Sequence, residues 1–310
     1  MKKIFLLFTA AVLSAGMAFA QDINQATENY NNGAMELQMG NNDAAITYFQ
    51  TALEMAEALG EEGAEVATNC RNIIPAVYLS TAKEQIKAKN YDAAVEQLNK
   101  AIEAAEKYEN ADVTADANEL MPQVYVSKGN DFLTAKNFAE AEVAYNKAIE
   151  LDAANGMAYF RLGQALASQN KTAEAEAAYV KAAENGQEKN AYKQLSNMYV
   201  KLAQASNKAK KYEEVLDYAA KSNQYLENAN AYKLAASASQ KMGNNAQCIE
   251  FYEKYLAAKP NAKDAAGVTF TIAALYQQMG NKAKAIENYE KVATDPQYGA
   301  SAQEQLKVLK

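Results

Sequence analysis

Histidine is absent from the 310 residues. That removes the side chain most used as a general base near neutral pH and as a ligand for transition metals. Cysteine occurs twice, at Cys70 and Cys248, too few and too far apart in sequence for a zinc site. With 13 Gly and 4 Pro, the chain is short of the turn residues that a many-stranded sheet needs. No Gly-rich loop follows a strand pattern, so no phosphate cradle is expected. Basic residues are in deficit, 31 Lys and Arg against 38 Asp and Glu, a net charge of −7. Phosphate backbones and anionic lipid call for clustered positive charge, so nucleic acid is not an expected partner. Past the first turns of sequence, no apolar run approaches the roughly 20 residues of a membrane-spanning helix.

What is present begins with a leader. Lys2 and Lys3 precede an uncharged apolar run, Ile4 to Val12, and a small-residue end at Ala18-Phe19-Ala20. This is the layout of a secretory signal peptide, residues 1–20, cut between Ala20 and Gln21. The mature chain, 21–310, is then expected to be exported, periplasmic or extracellular, with no integral membrane segment. Loss of Lys2 and Lys3 leaves 29 basic and 38 acidic residues, a net of −9. No Cys stands at the cut, so lipid attachment there is excluded.

The remainder is rich in Ala, Glu, Lys, Gln and Leu, the residues that favour helices. One block recurs: Ala, an aromatic or Leu four residues on, and a small residue three further. It reads Ala45-Phe49-Ala52, Ala94-Leu98-Ala101, Ala141-Tyr145-Ala148, Ala175-Tyr179-Ala182, Val215-Ala219-Ser222, Cys248-Tyr252-Tyr255 and Ala285-Tyr289-Val292. The +4, +3 spacing holds one helix face. Small residues admit a second helix, and the ring fills the space beside it. Cys248 occupies such a small position and is expected to be a buried apolar group rather than half of a disulfide. A partner helix precedes each block, as in Tyr159, Leu162, Gly163 and Leu166 before Ala175. Gly40-Asn41, Gly243-Asn244, Gly280-Asn281, Asn90, Asn137 and Asn170 mark the turns, because Gly and Asn tolerate the left-handed conformation that ends a helix.

These residues resemble the tetratricopeptide repeat. The resemblance is fullest over 159–182, and Pro260 supplies the family's closing Pro once. It implies an all-α fold: a right-handed superhelical solenoid of about seven antiparallel helix pairs with a C-terminal capping helix. Ala141 to Ala175 is the family's length of 34 residues, whereas the earlier blocks stand 49 and 47 apart. The expected organisation is long repeats over about 27–136, motif-length repeats over about 137–187, further repeats over about 188–295, and a cap at 297–310. Residues 200–211 read as an insertion that lengthens a helix. Pro75 and Pro122 are each expected to start or kink one.

In this family the first helix of each pair lines a concave face. Carried onto this sequence, the peptide-binding groove consists of Arg161 and Gln164, then Lys193, Asn197 and Lys201, then Lys233, Ser237 and Lys241, with Lys83 and Asn130 from earlier repeats. Amide side chains donate to and accept from a peptide backbone, and lysines meet carboxylates. Lys193 and Asn197 also match the opening pair of the family's clamp for a C-terminal carboxylate. The following places, Leu234, Val268 and Thr271, do not.

Most of the 20 tyrosines, among them Tyr125, Tyr145, Tyr159, Tyr179, Tyr252 and Tyr289, fall at packing positions. Adjacent carboxylates such as Glu61-Glu62 do not face each other on a helix. No enzyme activity, cofactor or metal is therefore expected. The leading reading is an envelope scaffold or adaptor that binds other proteins or peptides. Two alternatives stand beside it. One is a glycan or solute binder stacking its ligand on groove aromatics such as Phe160 and Phe270. The other is a structural subunit that associates with itself.

Overall fold

The structure is a computed structural model that describes residues 19–310. The expected signal peptide falls almost wholly outside these residues. Fifteen α-helices are present among them, with no strand: α1 (Phe19–Gln38), α2 (Asn42–Ala58), α3 (Ala64–Lys87), α4 (Tyr91–Lys107), α5 (Ala111–Thr134), α6 (Phe138–Leu151), α7 (Gly156–Ser168), α8 (Thr172–Ala182), α9 (Glu188–Lys208), α10 (Tyr212–Tyr225), α11 (Ala229–Lys241), α12 (Asn245–Ala258), α13 (Ala265–Gln278), α14 (Lys282–Val292) and α15 (Gly299–Leu309). Seven consecutive pairs run from α1/α2 to α13/α14, and α15 packs on α14 as the final cap. The fold is the all-α repeat solenoid that the sequence leads one to expect.

The helices form two compact units, one ending at Ala153 and holding α1–α6, the other beginning at Ala154 and holding α7–α15. The division falls inside the stretch read as motif-length repeats. In the first unit α3 and α5 are 24 residues each, against 13 for α7, a difference of about three turns. The insertion near 200–211 likewise makes α9 a 21-residue helix. Pro75 and Pro122 start no helix. Each is the twelfth residue of its helix, α3 or α5, and each is buried.

Each pair is locked by its recurrent block. Phe49, Tyr145 and Tyr179 lie against Gly33, Gly129 and Gly163, each sixteen residues earlier. A Cβ placed on those glycines would stand 2.9, 2.6 and 2.8 Å from the ring. Only the bare glycine backbone lets the ring come so close. Cys248 is fully buried at its small-residue position, and Cys70 is buried within α3. Desolvation raises the Cys70 thiol to about 12 and the Cys248 thiol to about 11.

The turns differ in detail from expectation. Gly40, Gly243 and Gly280 do take positive φ, and so does Asn170. At the other two asparagines the left-handed residue is the preceding lysine, Lys89 (φ 62°) or Lys136 (φ 63°). Asn90 and Asn137 instead stand at the start of the next helix. In every case the hydrogen bonds form a Schellman closure: Lys89 N–H donates to Ile86 O and Asn90 N–H to Gln85 O, and Gly243 and Asn244 donate likewise to Gln240 and Ser239.

Candidate functional site

The second unit carries most of the expected groove. Its first helices share one register, with Leu162-Gly163 of α7, Leu195-Ser196 of α9 and Ala235-Ala236 of α11 buried at equivalent places. Two residues before each first member stand Phe160, Lys193 and Lys233. Two residues after stand Gln164, Asn197 and Ser237. One further turn brings Ser168, Lys201 and Lys241. Because α9 touches both α7 and α11, these positions form rows across neighbouring helices. Lys193, Asn197, Lys201 and Lys241 are exposed, and Ser237 is half-buried. Among the described residues Lys193, Lys201 and Lys241 form no ion pair. Side chains four apart on a helix are separated by about 6 Å, near the spacing of alternate side chains on an extended peptide.

Lys233 differs from them. Its ammonium donates to Asp264 at the start of α13, and Tyr255 Oη donates to the other carboxylate oxygen at 2.6 Å. The Lys233 bond, then the Tyr255 bond, hold the Asp264 carboxyl below its ordinary value. Burial, then this hydrogen bond, push the Tyr255 phenol up to about 12. Lys233 thus ties one repeat to the next. A matching arrangement joins Asp131 in the first unit to Lys89 and Tyr91, at 3.0 and 2.9 Å.

Arg161 stands one place off the rows. Its Nη1 donates to Gln164 Oε1 at 3.0 Å, its guanidinium carbon lies 6.0 Å from the Phe160 ring centre, and its Nε is buried without a hydrogen-bond partner. In the first unit, Asn130 Oδ1 accepts from Tyr145 Oη at 2.9 Å, and Lys83 makes a loose 3.9 Å contact with Asp116.

The expected stacking rings are engaged by neighbouring rings, Phe160 buried and Phe270 half-buried. Phe160 is buried edge-on against Tyr179, with centroids 5.8 Å apart. Phe270 packs on Tyr289 at 5.3 Å and on Tyr298 at 5.6 Å. Tyr30 meets Phe49 in the same way at 5.4 Å. All three pairs are 19 residues apart in the sequence. Nor is the carboxylate clamp completed: Val268 is buried, Leu234 packs into the core, and Thr271 Oγ1 donates to Gly267 O at 2.9 Å.

One cluster has no counterpart in the repeat motif. Glu176 of α8 accepts from Tyr225 Oη at 2.6 Å. The Tyr199 and Tyr225 rings are stacked with an interplanar angle of 5°, and Tyr218 also stacks on Tyr199, with centroids 6.0 Å apart. Lys221 Nζ stands 5.0 Å over Tyr199 and 3.8 Å from Glu176. Burial alone raises the Glu176 pKa, but bonds from Tyr199 and Tyr225 and the Lys221 charge outweigh it, and the carboxyl ends below its ordinary value. The charged Glu176 carboxylate, with its contacts to Tyr199, Tyr225 and Lys221, binds α8, α9 and α10 together.

Charge divides between the units. Residues 154–310 hold 20 Lys and Arg against 15 Asp and Glu, whereas residues 1–153 hold 11 against 23. The lysine rows thus lie in a unit of net +5, beside a unit of net −12 in the same chain. Among the described residues, no group of three His, Cys, Asp or Glu is placed to hold a metal ion. No helix among them is long and apolar enough to cross a membrane.

Sequence models of the tetratricopeptide repeat match residues 126–190, and also 29–59, 229–262 and 267–294, together just over half of the chain. No curated protein matches it. Among solved structures it is similar to YrrB, described as a TPR protein with an unusual peptide-binding site, at 19% identity and TM-score 0.32, covering 59% of this chain and 91% of that one. It is also similar to PilF of Pseudomonas aeruginosa, at 21% identity and TM-score 0.29, covering 62% and 93%. The TPR domain of P58(IPK) is 12% identical with TM-score 0.29, covering 92% and 97%. At these identities the likeness concerns the fold alone.

Proposed function

From a chain that belongs to the tetratricopeptide repeat family, we infer a protein-interaction scaffold that grips an extended, acidic segment of a partner protein along the α9 and α11 lysine rows. The observation that carries this reading is the set Lys193, Asn197, Lys201 and Lys241, exposed, uniform in register and unpaired within the described residues. Asn197 and Ser237 offer hydrogen bonds to a peptide backbone, and the lysines offer charge to its carboxylates. Gln164 and Arg161 extend the polar surface onto α7. Lys233 contributes while it remains paired with Asp264.

Catalysis has no support in the titrating groups. The resolved shifts raise lysines, tyrosines and cysteines and lower carboxylates. Each moves its group away from neutral pH, so none is poised for proton transfer there. The glycan reading loses support, since Phe160 is buried and Phe270 is half-buried with its ring taken up by Tyr289 and Tyr298.

The site of action is taken to be the cell envelope, on the strength of the leader at residues 1–20. N-terminal sequencing of protein recovered from cell fractions tests this: a chain starting at Gln21 outside the cytoplasm supports export, and an intact Met1 in the cytoplasm overturns it. The groove is tested by affinity capture from the envelope with mass spectrometry, comparing the natural protein with Lys193→Glu combined with Asn197→Ala. A small reproducible set of proteins, captured several-fold less by the variant, is the expected result. An unchanged set would remove the groove from the account.

A further inference from the structure

The lysine face is unpartnered, and the same chain carries its electrostatic complement. At the corner between α4 and α5, Glu103, Glu106, Glu109, Asp112, Asp116 and Glu119 are all exposed. The one basic residue among positions 103–119 is Lys107, whose Nζ is 5.3 Å from the Tyr108 ring centre. The one ion pair that these six acids form among the described residues is the loose contact of Asp116 with Lys83, with both side chains more than half exposed. Asp112, Asp116 and Glu119 follow one side of α5 at spacings of four and three. They span about 10.5 Å along the helix, and Lys193 to Lys201 spans about 12 Å along α9.

We propose that the α9–α11 face takes a second copy of this chain, docking the acidic α4–α5 corner of that copy against Lys193, Lys201 and Lys241. The argument is charge complementarity. Solvated charges of either sign are screened beyond about 8 Å at physiological salt, so the net charge of −7 opposes association only weakly, while apposed rows interact at contact range. The contact is heterologous, acidic corner to lysine face. Each copy in a pair therefore keeps one free corner or one free face, and assembly continues until the arrangement closes or the chains are exhausted. The inference uses the same lysines as the proposed groove and rests on that reading only for their availability.

Sedimentation equilibrium of the purified protein tests it, run at about 50 mM and about 500 mM NaCl so that the Debye length shrinks severalfold. The expected result is a mass that grows with protein concentration at low salt, with association at least about tenfold weaker at high salt. Two charge reversals follow: Lys193→Glu, Lys201→Glu and Lys241→Glu in one variant, Asp112→Lys, Asp116→Lys and Glu119→Lys in another. Each alone is expected to be monomeric, with an unchanged circular dichroism spectrum, because all six residues are exposed. Mixed in equal amounts, the two variants are expected to associate again, because the natural acidic corner of the first meets the natural lysine face of the second, and the glutamate face of the first meets the lysine corner of the second. A strict monomer under all conditions, association indifferent to both reversals, or failure of the mixture to associate would each overturn the proposal. Titration with an acidic peptide separates the two readings. Peptide binding by a protein that stays monomeric defeats self-association and leaves the groove standing. Self-association without peptide binding does the reverse.

Discussion

Tyr179 lies against Gly163, so close that a Cβ on the glycine would be 2.8 Å from ring atoms Cδ1 and Cε1. Gly163→Ala forces the ring, itself buried and edge-on to Phe160, out of place. Overpacking of this kind costs about 1–3 kcal/mol, against a gain of at most about 1 kcal/mol from replacing glycine inside a helix. The expected net effect is destabilisation by about 1–2 kcal/mol. Urea unfolding followed by circular dichroism measures it, and an equal or higher midpoint would refute the packing account.

Asp264 gives the second unit an acid-sensitive joint. Its folded pKa is depressed by Lys233 and Tyr255, so its contribution is fully present above the ordinary carboxylate value of 3.8. It is lost as pH falls through the lower folded value. Asp264→Asn is expected to lower stability at neutral pH and to flatten the decline below pH 3.8. Lys233→Ala breaks the same joint from the other side, at a cost of up to about 1 kcal/mol for so exposed a pair. Lys193→Ala, with no partner to lose, is expected to leave stability within about 0.5 kcal/mol. Unfolding series from pH 2 to 7, in units of about one pH step, compare the three variants.

The thiols supply a third expectation. Cys70 and Cys248 are fully buried and their pKa values are raised to about 12 and about 11. Reactivity follows thiolate and access. Native protein at pH 8 is expected to react with a thiol reagent at least about a hundredfold more slowly than protein unfolded in guanidinium. Prompt modification of either cysteine in the native state would contradict their burial.

Much of the fold was legible because it is written at fixed distances. The block of small residues around a ring or Leu fixes one helix, and a small residue sixteen before its middle member, Gly in three pairs and Ala in the other four, fixes the partner. That is enough to count seven pairs and to foresee the long α3, α5 and α9. The candidate site was less legible. Lys193 and Lys233 share a register, and counting back from Leu162 puts Phe160 there, with Arg161 one place away. Phe160 and Phe270 looked like groove rings until the structure set each against the tyrosine 19 residues on, Tyr179 and Tyr289. The pairing of Lys233 with Asp264 depends on where the next helix begins, which repeat spacing leaves loose. The Tyr199–Tyr225–Glu176 cluster draws on three helices around the α9 insertion, where the period slips. The separation of charge was hidden for another reason: a sum over the whole chain averages away two halves of opposite sign.

Lys89, Lys136 and Lys210 hold left-handed corners clipped by paired backbone hydrogen bonds, such as Lys210 N–H to Asn207 O and Lys211 N–H to Ser206 O. A trypsin-like protease needs a lysine on a slack, extended strand. Here the lysines project from corners with no slack, and drawing one into a protease cleft means unwinding the turns on either side. The corners that look most open to cutting are therefore held by the same backbone hydrogen bonds that end the helices they join.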